Sequence, residues 1–190
     1  MPKTARADRT EAGPTIPFSS RVERIGDRRI VRLPADASAQ LPSRGQVAVR
    51  ATLDGHAFET VIEPDGRRGH WISLDAGVTK KAGLELGHAV DGELVPKKEW
   101  PEPRIPKDLQ GALKEAPDLG ATWKSLTPMA RWEWVRWVGA TRNPATRAKR
   151  VEVSISKLRG GKRRPCCFDL ASCTDPELAR SGKLMEPEQV

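Results

Sequence analysis

From Ile16 to Leu94 apolar and polar residues alternate in short runs, the period of half-buried β-strands. Phe18–Ile25 and Arg28–Leu33 flank Gly26-Asp27, the signature of a hairpin. Val47–Leu53 and Ala57–Ile62 flank Asp54-Gly55-His56 and predict a second hairpin, and His70–Leu74 and Ala89–Val95 add extended runs. The period then changes. Ile105, Leu109 and Leu113 recur at helical spacing behind Pro106, and 121–126 suggests a further short turn. Thr127-Pro128 and Asn143-Pro144 each pair an N-cap with a first-turn proline, predicting helices to Ala140 and to Arg159, where Gly160-Gly161 ends the pattern.

The strand region contains an approximate duplication. Leu33-Pro34-Ala35-Asp36 leads to Gly45-Gln46-Val47, and Leu74-Asp75-Ala76-Gly77 leads to Gly87-His88-Ala89, with Leu-to-Gly intervals of 12 and 13 residues. Each copy reads as strand, helical turn, glycine turn, strand. Two halves too small to bury their own apolar faces are expected to close on each other as one small barrel.

This patterning divides the 190 residues into a disordered tail (1–15), a β-barrel (16–95), a stiff proline-rich linker (96–105), a helical domain (106–161) and a flexible basic tail with the cysteines (162–190). The longest uninterrupted apolar run is three residues, far short of a membrane span, and the N-terminus has no apolar stretch for a signal peptide. A cytoplasmic location is therefore expected. Cys166, Cys167 and Cys173 do not make a disulfide framework, and their spacing is not a zinc pattern, so neither metal nor cofactor is expected.

The net charge of +8 is concentrated. Nine basic residues lie between Thr141 and Arg164, opposed there only by Glu152, and the rest of the chain sums to zero. Arg147, Lys149, Arg150 and Lys157 form a candidate surface for nucleic acid, although a solvated helix face explains the same run. Six tryptophans without a tyrosine are unusual, and three sit in Arg131-Trp132-Glu133-Trp134-Val135-Arg136-Trp137. Helical phasing puts Trp134 and Trp137 on one face, a core reading, and Trp132 toward the other, with Arg136 one turn on. No HExxH, GxSxG, Walker or GxGxxG pattern occurs, so an enzyme has no visible constellation and no catalytic residue is assigned.

Two resemblances organise these features. Val31-Arg32-Leu33-Pro34, Gly45-Gln46-Val47-Ala48-Val49, Ala51–Phe58, Gly69–Leu74 and Gly87-His88-Ala89-Val90 resemble domain of unknown function 1905. Asp75 stands where that family commonly has proline, and His88 where it has aspartate. Ile105–Leu109, Trp123, the 127–140 helix and Thr146-Arg147 are similar to the YdeI/OmpD-associated, or bacteriocin-protection, family. Together they imply an α+β chain: a pseudo-duplicated double-split β-barrel of AbrB/MazE-like architecture, followed by a small helical domain.

The function expected on this basis is a non-enzymatic, protective binding protein that sequesters a toxic small molecule, antibiotic or peptide in a cleft between barrel and helices. Trp71, Trp132, Arg136 and His70 are its candidate ligand-binding residues. A nucleic-acid-binding accessory or regulator is the alternative.

Overall fold

A computed structural model describes residues 13–141, 143–165, 175 and 177–188. The strand order is β1-β2-β5-β4-β3-β6, closed into an antiparallel barrel. Its strands are β1 (Ile16–Ile25), β2 (Arg28–Arg32), β3 (Val47–Leu53), β4 (His56–Pro64), β5 (His70–Leu74) and β6 (Ala89–Pro96). Exchanging β1 with β4, β2 with β5 and β3 with β6 returns the same ring of neighbours. The sequence duplication is thus a two-fold in the topology, and Val31 pairs with Ile72, its counterpart in the other half. The helical turns of the two copies are α1 (Ala35–Ala39) and α2 (Ala76–Lys81).

Local chemistry explains the joints. Asp54 and Gly55 both take positive φ (45° and 80°), which a two-residue turn matched to strand twist requires, and His56 already belongs to β4. Asp75, the departure from the family's proline, caps α2 by accepting from the Val78 N–H at 2.8 Å. His88, the other departure, bonds Asp54 through Nε2 at 2.7 Å. Inward-facing Val22, Val31, Val49, Leu53, Ile72 and Leu94 fill the barrel. Gly92 faces inward too, and a Cβ there would meet the Phe18 ring at 2.5 Å.

His70 also lies inside, 1% exposed. Its Nε2 meets the Gly45 carbonyl at 3.0 Å, an acceptor only, so Nε2 carries the proton and Nδ1 accepts from the Ser38 hydroxyl at 2.6 Å. The imidazole thereby fastens α1 and the following loop to β5. Burial holds its pKa below the usual 6.5. The unfolded chain therefore takes up a proton at higher pH than the folded one. The stability this residue confers is complete above about 6.5 and is lost as pH falls through the folded pKa. Chemical denaturation at pH 5 and 7.5 tests this, and a His70→Gln variant is expected to flatten the acid side of the profile.

The helical layer comprises α3 (Lys107–Lys114), a 3-10 turn at Pro117–Leu119, α4 (Gly120–Lys124), α5 (Pro128–Gly139) and α6 (Pro144–Arg159). Thr127 and Asn143 cap α5 and α6 as their sequence positions predict, accepting from Ala130 and Thr146 N–H groups at 3.2 and 3.0 Å. Trp134 is fully buried, with Leu119, Leu126, Ala130 and Leu158 around it. No helix among the described residues is long and apolar enough to cross a membrane.

One expectation needs correcting. The described part of the segment read as a flexible tail forms a hairpin, β7 (Ala179–Arg180) and β8 (Lys183–Leu184), that packs on the barrel. Leu178 and Leu184 are 3% and 1% exposed. Leu178, Ala179, Leu184 and Met185 are too sparse to show a period, so only the surface that receives them reveals the order. Cys166, Cys167 and Cys173, and residues 1–12 of the N-terminal tail, lie outside the described residues.

Candidate functional site at the barrel–helix junction

Strand alternation aims Val22, Val31 and Ile72 inward, and therefore Ile25, Ile30 and Trp71 outward. Glu63 pairs with Trp71 across β4 and β5, so it shares this outer face. A closed barrel does not need apolar residues outside. Here they form a second cluster, completed by Leu178, Leu184 and Met185 of the C-terminal segment. Trp71 is 0% exposed, and its indole N–H donates to the Pro64 carbonyl at 3.2 Å. This is a different setting from the ligand cleft expected for it, because the segment already covers the ring.

Beside Trp71, α5 delivers Arg136 onto Glu63. The two form a buried ion pair, 8% and 9% exposed. Burial pushes the Glu63 carboxyl up to about 7, against the opposing pull of Arg136. The Asp175 carboxylate adds to the rise, while Arg28 and the Asp175 backbone oppose it. Barrel, helices and C-terminal segment thus meet around one carboxyl. Arg136 was expected beside a ligand; its guanidinium instead joins the two domains. Glu63 was missed in sequence because a lone glutamate in a strand reads as a solvated residue. The available signal was Ile30-Val31 and Trp71-Ile72: consecutive apolar residues within strands mark a sheet buried on both faces.

Trp132 is partly exposed, as its phasing predicts. Its indole N–H donates to the Pro101 carbonyl at 2.7 Å, and its ring meets Trp100 edge-on with centroids 6.3 Å apart. Next to the pair, Arg131 holds Glu102 and donates to the Leu126 carbonyl at 2.6 Å. The proline-rich linker is therefore docked along α5, and it supplies Trp100, a partly exposed indole absent from the expected set. His70, inside the barrel with both ring nitrogens engaged, lies apart from these indoles.

The basic segment is largely engaged within the chain. Arg147 pairs with Asp108 at 2.6 Å and Arg159 with Asp118 at 2.7 Å. The Arg147 hydrogen bond holds the Asp108 carboxyl below its usual range. Arg150 donates to the Trp137 carbonyl and lies 5.5 Å from that ring's centroid, with Lys157 at 5.4 Å. Lys149 reaches Glu152, one turn away on the exposed surface. Arg164 approaches Glu133, whose carboxyl burial raises. Charge opposed by a single residue in sequence is opposed in space by Asp108, Asp118 and Glu133 as well.

A closed six-strand barrel followed by a helical layer, bridged at the barrel's outer face by Arg136 and Glu63, defines the architecture. Residues 18–94 match the model of domain of unknown function 1905, and residues 102–161 match the family described as bacteriocin-protection, YdeI or OmpD-associated. The chain joins these two family segments in that order. The C-terminal segment at 175–188 lies beyond both matches. No curated protein matches the chain.

Proposed function

We propose that this protein is a non-enzymatic binding protein with a protective role, holding a planar or aromatic ligand on the Trp100–Trp132 pair. The observation that carries this reading is the pair itself: two partly exposed indoles from different segments, oriented edge-on at the junction. A third ring stacked on this pair would gain about 0.5–1.5 kcal/mol per aromatic contact beyond its buried area. The family description, bacteriocin-protection, supports a protective role and names no ligand. The test is a thermal-shift screen of aromatic antibiotics and aromatic-rich peptides. A true ligand at about a hundred times its Kd stabilises by about 2.7 kcal/mol, a rise of about 5–10 °C. Trp132→Ala should abolish that rise; an undiminished shift in the variant would overturn the assignment.

Nucleic-acid binding through α6 is the second reading, and the internal partners of Arg147, Arg150 and Lys157 argue for weak, non-specific affinity. Fluorescence anisotropy with duplex and single-stranded DNA should show binding only at low salt, falling steeply as salt rises.

A further inference from the structure

We propose that the outer face of β1, β2 and β5 is a groove for an acidic, leucine-bearing peptide, and that the chain's own C-terminal segment occupies it in cis. This goes beyond the indole-pair reading and is independent of it. The barrel core closes on its inward residues. Ile25, Ile30 and Trp71 take no part in that core, and all three belong to the cluster the segment completes with Leu178, Leu184 and Met185. An apolar floor on the outside of a finished barrel has the character of a docking surface.

The rim matches its occupant in charge. Arg24 meets Glu188 at 2.5 Å, Arg67 meets Glu186 at 2.7 Å, and Arg32 meets Glu186 at 3.1 Å. Arg28 stands 3.7 Å from Asp175 and 3.8 Å from Glu177. Four arginines from the barrel thus face four acids from the segment. Exposed pairs of this kind add little affinity each, but they select acidic over basic peptides and set direction.

The main chain is read as well. The Leu184 N–H donates to the Asp65 carbonyl and the Glu188 N–H to the Arg24 carbonyl, both at 2.9 Å, while Arg32 donates to the Met185 carbonyl at 2.7 Å. Backbone bonds with side chains seated between them are how extended peptides are recognised on sheets. Gly66, at φ +73°, lets the backbone at Gly182 come so close that any Cβ would collide with its carbonyl oxygen. The groove is shaped for a chain to lie in it.

The probe is a fluorescein-labelled peptide of sequence 175–188, titrated by anisotropy against the full chain and its Leu184→Asp variant, which releases the segment. The folded variant is expected to bind saturably in the micromolar range. The wild-type chain should bind at least about tenfold more weakly, because a tethered competitor acts at millimolar effective concentration. A peptide with its acids changed to lysine should not bind, and Trp132→Ala should change nothing. A folded variant that ignores the peptide overturns the proposal. If Leu184→Asp does not fold, a protease site introduced between Pro165 and Asp175 gives a nicked full chain. Exchange of its C-terminal fragment for the labelled peptide under native conditions supports the groove; release only upon global unfolding overturns it.

Discussion

Arg136→Met is expected to lower stability by about 3–5 kcal/mol, because it leaves the Glu63 carboxyl buried without its cation. In a chain of this length that is a drop of about 6–20 °C in Tm. The double variant Glu63→Leu/Arg136→Met should recover most of the loss, since two apolar side chains remove both desolvation costs at once. The coupling term of this cycle is the readout, and additive losses would show that the two residues act separately.

The pH dependence follows from the same carboxyl. Its folded pKa, about 7, lies above the usual 4.5, so the folded chain keeps a proton that the unfolded chain releases. The associated stability is fully present below about 4.5 and is lost as pH rises through about 7. Ionising this carboxyl in place costs about 3 kcal/mol. Loss of the cation raises the Glu63 pKa further, so at pH 5 the carboxyl is protonated with or without Arg136, whereas at pH 8 the variant loses the ion pair that the wild-type chain holds, and the penalty should be larger at pH 8. Urea denaturation at the two pH values measures the difference. An equal penalty at both would mean that the carboxyl does not titrate there. His70 works in the opposite sense on the acid side, so variant-minus-wild-type differences separate the two groups.

Trp134→Ala should cost about 3–5 kcal/mol, whereas Trp132→Ala should cost about 1–2 kcal/mol. Trp134 is fully buried, its indole N–H donates to the Arg163 carbonyl at 3.1 Å, and its ring meets Trp137 edge-on. Deleting it opens a cavity among Leu119, Leu126 and Leu158, which sit on separate elements and cannot all move inward. Trp132 gives up one hydrogen bond and one ring contact at a partly exposed site that water can refill. Comparable losses from the two variants, measured by thermal and urea denaturation, would place Trp132 in the core and remove it as a ligand contact.

Much of the barrel is legible in one dimension, because a strand in a closed barrel writes its burial as alternation and its joints as turn residues. Gly26, Asp54-Gly55 and the Leu-to-Gly duplication set hairpins and pseudo-symmetry through local conformational preference. Thr127 and Asn143 mark helix starts for the same reason: a cap bonds an amide three residues on. Trp134 and Trp132 separate by phase alone. The site was less legible, since it depends on which outward residues meet. Trp71 reads as a strand tryptophan until Leu178 and Leu184 cover it, and Glu63 reads as a surface acid until α5 brings Arg136 from 73 residues away. The basic run followed the same logic. Asp108 and Asp118 oppose Arg147 and Arg159 across roughly forty residues, a pairing visible only after packing. Alternation, caps and turns are local and were determined by sequence, whereas covered faces, buried charge pairs and neutralised patches arise from long-range contacts that only the tertiary structure decided.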